Sequence, residues 1–330
     1  MANSSRSLLL LHALREAKQQ KSAANQGFTL IEILISLFIA GIVVSGLLFI
    51  VVELLRVDQR EVVLDQVQSD MQRSIDYIAD DLKEAIYVYS NPTDVTDQLI
   101  NLNNDITTNS GVPVLAFWRT DPIDATDIAS LPTGSEPDGC PTNDLTCAVL
   151  KRRRATYTLV AYYQTAQYGV WEGNTLKRYE LDHYKDLATY SVSGGFAEPF
   201  NSSGAANDFA GWSAASTTED DGTRSVLVDY VADIKNTTND GSEPVLDCET
   251  FTGDPSHVLS PVDATENTGF FACIRPTDAT SGFRTNQDVF LFLRGDATPA
   301  SQFLQPASEG SRLPILQTQV KLGGVIDRDD

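Results

Sequence analysis

The chain has 330 residues, 42% of them hydrophobic and 21% charged, an ordinary globular composition for which disorder is not the default. Its length permits one large domain or two small ones. A net charge of −21 argues against nonspecific nucleic-acid binding, because phosphate affinity comes from Lys and Arg.

The N-terminus is unlike the rest. Residues 1–27 hold four bases, Arg6, Arg15, Lys18 and Lys21, against one acid, Glu16. Their net is +3, so the remainder carries −24 of the total −21. From Ile33 to Val52 run 20 consecutive uncharged residues. At about 1.5 Å per residue they span about 30 Å, a bilayer's hydrocarbon thickness. No later segment repeats this, so one membrane crossing is the maximum. The basic flank predicts a cytoplasmic N-terminus and an exported acidic bulk.

The junction reads Asn25-Gln26-Gly27-Phe28-Thr29-Leu30-Ile31-Glu32, and the apolar run follows it. A secretory signal peptide has the reverse order, with its cleavage site after the apolar core. A cut at Gly27 would remove the basic leader and keep the anchor. Glu32 is costly in hydrocarbon and wants a cation. Alone, it reads equally well as a residue that snorkels to water. Glu53, with Arg56 three residues on, reads as an interfacial ion pair.

Gly-Phe-Thr-Leu-Ile-Glu before an apolar stretch resembles the class III signal of type IV prepilins and type II secretion pseudopilins. The resemblance implies that a prepilin peptidase cuts after Gly27 and methylates the new N-terminal Phe28. It also implies that Glu32 pairs with the Phe28 ammonium of a neighbouring subunit and so sets the stagger between subunits. The implied partners are other pilins or pseudopilins, the prepilin peptidase, an inner-membrane assembly platform and the membrane itself. Nucleic acid is not expected. The implied location is the inner membrane, single pass, with the head in the periplasm, or outside the cell once in a filament. The absence of a proline between Phe28 and Asn91 points to a minor pilin or pseudopilin, since the family's major pilins usually carry one in the membrane half.

Beyond the apolar run, Leu64, Val67, Met71, Ile75, Ile78, Leu82 and Ile86 recur at helical steps of three and four. A continuous helix from Phe28 to Tyr89 would be about 93 Å long. Its first half is apolar all round and its second half amphipathic, made to lie on a sheet. Gly41 and Gly46 read either as close-packing positions or as ordinary membrane-helix glycines.

After Pro92 the apolar runs shorten. Candidate strands are Val112–Arg119, Tyr157–Gln164, Thr175–Asp182, Ser225–Ile234, Phe270–Arg275, Val289–Arg294 and Leu316–Leu322. The second and third are predicted to form a hairpin. Polar stretches Asp94–Gly111, Thr120–Asn143, Ser191–Thr223 and Asn236–Asp254 read as inserted loops. A helix followed by strands predicts an α+β, pilin-like fold, a long N-terminal helix on an antiparallel sheet. The expected division is a leader 1–27 that is removed, a transmembrane half 28–56, an amphipathic half 57–91 and a head 92–330. The large head is loosely similar to PilW-like minor pilins and J-type pseudopilins. Together with the long leader it also resembles the hormogonium polysaccharide secretion pseudopilins of cyanobacteria.

Cys140, Cys147, Cys248 and Cys273 all fall on the exported side, where an even number suggests disulfides. Of three connectivities, the local one, Cys140–Cys147 and Cys248–Cys273, is the expectation. Lys151-Arg152-Arg153-Arg154 stands out in so acidic a head. It reads either as a grip for an anionic polymer, DNA or polysaccharide, or as partners for acidic loops. The acid clusters Glu219-Asp220-Asp221 and Asp327-Arg328-Asp329-Asp330 read as solvated faces. Calcium is conceivable there, but neither has EF-hand spacing. No phosphate loop, zinc motif or nucleophile elbow is found, so no cofactor, metal site or catalytic residue is assigned.

The leading reading is a structural subunit, a minor pilin or pseudopilin in a filament for pilus assembly, surface motility or secretion, with polysaccharide as one cargo. The rivals are a filament-borne adhesin or polymer-binding subunit, and an exported enzyme with an accidental junction.

Overall fold

A computed structural model describes residues 29–166, 169–199, 209–234, 244–277, 287–297 and 313–322. The chain divides into two compact units, Met1–Gln59 and Arg60–Asp330. The first helix, α1 (Leu30–Lys83), begins in the first unit and ends in the second.

Within the second unit, α1 buries one stripe, Val67, Met71, Ile75, Ile78 and Leu82, each at most 3% exposed. Ser74 sits beside this stripe, and its hydroxyl donates to the Asp70 carbonyl at 2.7 Å, which satisfies it locally. Lys83 in the last turn suits the negative end of the helix dipole.

The helix ends earlier than its periodicity predicts. Ile86 and Tyr89 lie beyond it, and Ala85–Val88 forms an edge strand, β1. The reason is tertiary. β1 pairs with β2 (Val112–Pro122), Tyr87 opposite Trp118 and Val88 opposite Phe117. The far side of Val88 is held by the buried Gln287 amide, which accepts from Val88 N at 2.9 Å and donates to Val88 O at 2.8 Å.

Short helices α2 (Thr93–Thr96) and α3 (Ile100–Thr108) occupy the stretch predicted as the first loop. α4 (Ala125–Ser130) and α5 (Leu145–Arg153) lie between β2 and β3 (Ala155–Thr165). β4 (Asn174–Asp182) completes an antiparallel hairpin with β3. A small hairpin, β5 (Tyr184–Asp186) and β6 (Ser191–Val192), precedes β7 (Thr223–Val231). Then come α6 (Cys248–Thr252), β8 (Val258–Ser260), β9 (Phe270–Ile274), β10 (Asp288–Leu293) and β11 (Leu316–Lys321).

The strands make two main antiparallel sheets rather than one. The first runs β1-β2-β3-β4-β7 and the second β11-β10-β9-β8. They meet where Ala232 N donates to Arg294 O at 3.0 Å and Val231 bridges Gly295. The α1 stripe, the inner face of the first sheet (Phe117, Val160, Tyr162, Leu176) and the second sheet (Phe270, Leu291) share one core. The first sheet is also covered on its other face. Leu99, Leu102 and Ile106 pack with Phe196, Phe209 and Trp212 over Trp118, Tyr163 and Tyr179. Burial on both faces explains why β3 reads as the unbroken apolar run Leu159-Val160-Ala161-Tyr162-Tyr163, all fully buried, instead of alternating. A third, smaller core surrounds Cys248, Cys273, Phe271 and Phe292. The result is α+β, with the amphipathic part of a long N-terminal helix packed on a sheet-built head.

Candidate functional site

The N-terminal part of α1 is built to contact something other than its own chain. From Leu30 to Val57 every large apolar side chain is exposed, the least of them, Val52, at 46%. A helix apolar on all sides satisfies its backbone internally and needs lipid or other helices around it. Among the described residues α1 is the one helix long and apolar enough to cross a membrane. Ser45 is accommodated because its hydroxyl donates to the Gly41 carbonyl at 2.8 Å. A Cβ added at Gly41 or Gly46 would meet nothing within 4 Å. Packing within this chain therefore gives neither glycine a reason. At the far end Arg56 stands 3.7 Å from Glu53 with both side chains exposed.

Gly27 and Phe28 lie outside the described residues. Glu32 is described, in the first turn of α1, where a carboxylate meets the positive end of the helix dipole. Its backbone N–H donates to the Thr29 carbonyl at 3.0 Å. Its side chain is exposed and makes no ion pair among the described residues.

The basic run falls on the last turn of α5 and its cap, and the fold divides it. Lys151 Nζ donates to the carbonyls of Gly139 at 3.1 Å and Asp138 at 3.3 Å. The Arg153 guanidinium lies 3.9 Å from the Tyr157 ring centroid and 3.7 Å from the Glu198 carboxylate. Arg152 and Arg154 are exposed, and no ion pair joins either to another described residue. α5 is tethered at its start by the Cys140–Cys147 disulfide. The second disulfide, Cys248–Cys273, joins α6 to β9.

The fold divides the Glu219-Asp220-Asp221 cluster: Glu219 and Asp221 are exposed, as its composition suggests, while Asp220 is turned inward. Asp220 is 5% exposed and accepts from Tyr179 Oη at 2.8 Å and Asn101 N at 2.6 Å. Asp221 accepts from Gly194 N at 2.8 Å and Lys185 Nζ at 3.3 Å. Asp220 thus joins α3 to Tyr179 of β4, which is why this one carboxylate is turned inward. Residues 327–330 lie outside the described residues. Among the described residues no group of three or more His, Cys, Asp or Glu side chains is placed to hold a metal ion.

One constellation was missed by the sequence reading. Asp81 on α1 meets Arg119 on β2, Tyr162 on β3 and Arg178 on β4, and both arginines also hold Glu180 on β4. Arg178 chelates Glu180, with Nη1 to Oε2 at 2.6 Å and Nη2 to Oε1 at 3.1 Å. Arg119 Nη2 reaches Glu180 at 2.6 Å, and its Nη1 reaches Asp81 at 3.1 Å. Burial opposes charge on Glu180, but the hydrogen bonds and charges of Arg178 and Arg119 hold its carboxyl below the ordinary value. The neighbouring Asp182 goes the other way, pushed up by burial and by the Glu180 charge. The network joins helix to sheet. A signal existed for it: Arg119 and Arg178 are bases inside strands of an acidic chain.

A family model described as the prokaryotic N-terminal methylation motif matches residues 22–48. The match spans the junction and the start of α1 and leaves the head outside it. No match is found among curated proteins or among solved structures. The chain thus carries a class III prepilin signal followed directly by a long apolar helix.

Proposed function

We propose that this chain, with its N-terminal methylation motif ahead of an apolar helix, is a type IV pilin-like subunit, specifically a minor pilin or pseudopilin. The observation that carries the reading is the position of the match at residues 22–48, across the change from basic leader to exposed apolar helix. A motif of that kind marks a structural subunit, not an enzyme. In this reading the peptidase cuts after Gly27 and methylates Phe28. The helix stays in the inner membrane and the head enters the periplasm. Other pilins and an assembly platform then draw the subunit into a filament that serves surface motility or secretion, polysaccharide being one cargo.

Glu32 takes the Phe28 ammonium of the next subunit as its counter-ion. Two features support that assignment: an acid within an otherwise apolar segment, and no cation beside it among the described residues. Replacing Glu32 with Gln should leave the chain processed but keep it out of the sheared filament fraction. A variant found in filaments at the parental level would remove Glu32 from assembly. The adhesin or polymer-binding alternative draws less support, because Lys151 and Arg153 are engaged by their own chain and only Arg152 and Arg154 remain open.

A further inference from the structure

The two ends of β3 carry unlike surfaces that match each other. At its start, α5 presents an outward stripe, Leu145 at 78% and Val149 at 53% exposed, along an open groove edged by Arg152. These positions recur at i, i+4 and i+7, so they share one helix face. The opposite face, Cys147 and Leu150, is buried, so the helix is apolar on both sides. Past the other end of β3, the β3–β4 hairpin tip presents Val170 at 91% and Trp171 at 40% exposed, followed by Glu172. Eleven residues of β3 at about 3.3 Å each keep the two surfaces about 36 Å apart. The hairpin therefore cannot seat on its own α5.

We infer that the hairpin tip Val170-Trp171-Glu172 of one copy docks on the Leu145-Val149-Arg152 face of α5 in a second copy, joining heads end to end. This deepens the reading of the chain as an assembling subunit and rests on it. Apolar surface meets apolar surface, and the charges are opposite. Arg152 has no ion-pair partner among the described residues. Glu172 stands in a negative field beside Asp229, whose carboxyl is raised by burial first and then by the charges of Asp70 and Glu172. In a chain that carries −24 beyond residue 27, an open base beside exposed aliphatic carbon is a specific place for an acidic, aromatic knob. Because the two surfaces differ, the contact is heterologous and joins copies head to tail instead of closing a two-fold dimer.

The test uses full-length chains with two different tags, co-expressed in their native membrane. One copy carries Val170→Cys and the other Val149→Cys, and a short bismaleimide is added. The four native cysteines are all in disulfides, so only the introduced thiols react. The mixed pair should give a two-tag product, and neither variant alone should. Arg152→Glu should lower that product about tenfold or more, since like charges across an interface oppose association. Glu172→Arg in the other copy should restore it. Products from Val170→Cys alone or Val149→Cys alone would overturn the head-to-tail contact. So would adducts with another protein only, or no product from chains that retain parental thermal stability and, in a repeat, carry Leu145→Cys instead. The state of Phe28 is read in the same samples. A cross-link with Phe28 unprocessed would sink the pilin-like reading and leave the contact standing. Processed Phe28 without a cross-link would do the reverse.

Discussion

Arg178 Nε of β4 donates to Asp81 Oδ2 of α1 at 2.8 Å, and both side chains are less than one-tenth exposed. Tyr162 Oη donates to the same oxygen at 2.6 Å. A buried ion pair between helix and sheet is costly to break from one side, because the remaining charge is stranded. Asp81→Ala should destabilise the head by about 3–5 kcal/mol. Replacing both partners, Asp81→Leu with Arg178→Met, should cost much less, because Arg119 and Glu180 keep their own 2.6 Å pair. Thermal unfolding of the single and double variants decides this. Equal losses would mean the pair itself supplies the stability.

Acidification should weaken the head in two stages. His183 is stacked between Tyr184 and Phe196, with ring centroids 3.9 and 4.4 Å away. Burial first, then the Arg153 charge, lowers its pKa from 6.5 to about 4. The unfolded chain therefore binds a proton that the folded chain refuses between those values, and stability falls as pH drops through that window. From pH 7.5 to 5 the loss is at most on the order of 2 kcal/mol, because the Glu198 carboxylate, 3.3 Å from His183 Nδ1, favours the charged imidazole. Glu180 and Asp105 have depressed values, Asp105 through Tyr163 and Lys177 against the effect of burial. Their contribution is present above their ordinary values and is lost at lower pH, below about 4. His183→Phe keeps the stack and should abolish the first stage alone, measured as the change in Tm between pH 7.5 and pH 5.

Gly222 and Gly41 should respond oppositely to alanine. A Cβ at Gly222 would run into the Tyr179 ring, whose hydroxyl is fixed on Asp220. Gly222→Ala should therefore cost about 1–3 kcal/mol of head stability. Gly41 faces open space, so Gly41→Ala should leave the stability of the head unchanged. Any effect of that change should appear only where α1 meets other helices.

The two disulfides differ in the loops they close. Cys140 and Cys147 are 7 residues apart, Cys248 and Cys273 are 25 apart. The longer loop carries β8 and supports the small core of Leu259, Phe271 and Phe292. Changing Cys248 and Cys273 to Ser should cost about 2–4 kcal/mol, and more than the same change at Cys140 and Cys147. Denaturant midpoints of the two double variants give the order.

What could be read from the sequence is what local pattern encodes. The α1 stripe from Val67 to Leu82, seven strands of the two main sheets and the β3–β4 hairpin follow from periodicity and turn residues alone. The stripe ends one step before its spacing does, since Ile86 continues the helical period but lies in β1, whose Tyr87 and Val88 pair with Trp118 and Phe117 and whose Val88 is held by Gln287, 199 residues away in sequence. β8 was missed because three residues carry no period. The polar stretch Asp94–Gly111 read as loop because Asn and Asp obscure the apolar spacing of Leu99, Leu102 and Ile106. At the candidate site, the junction and the exposed helix were legible because charge and hydropathy change within a few residues. The fate of the basic run was not, because Glu198, Tyr157 and the 138–139 carbonyls reach it only through tertiary structure.

The central claim is that residues 22–48 act as a prepilin signal, and mass spectrometry of the mature N-terminus tests it most directly. Protein from cells with and without prepilin peptidase is compared. A prepilin signal gives an N-methylated Phe28 at the N-terminus in the first and an intact leader ending in Gly27 in the second. A mature chain that begins elsewhere, or the same N-terminus in both cells, would contradict it.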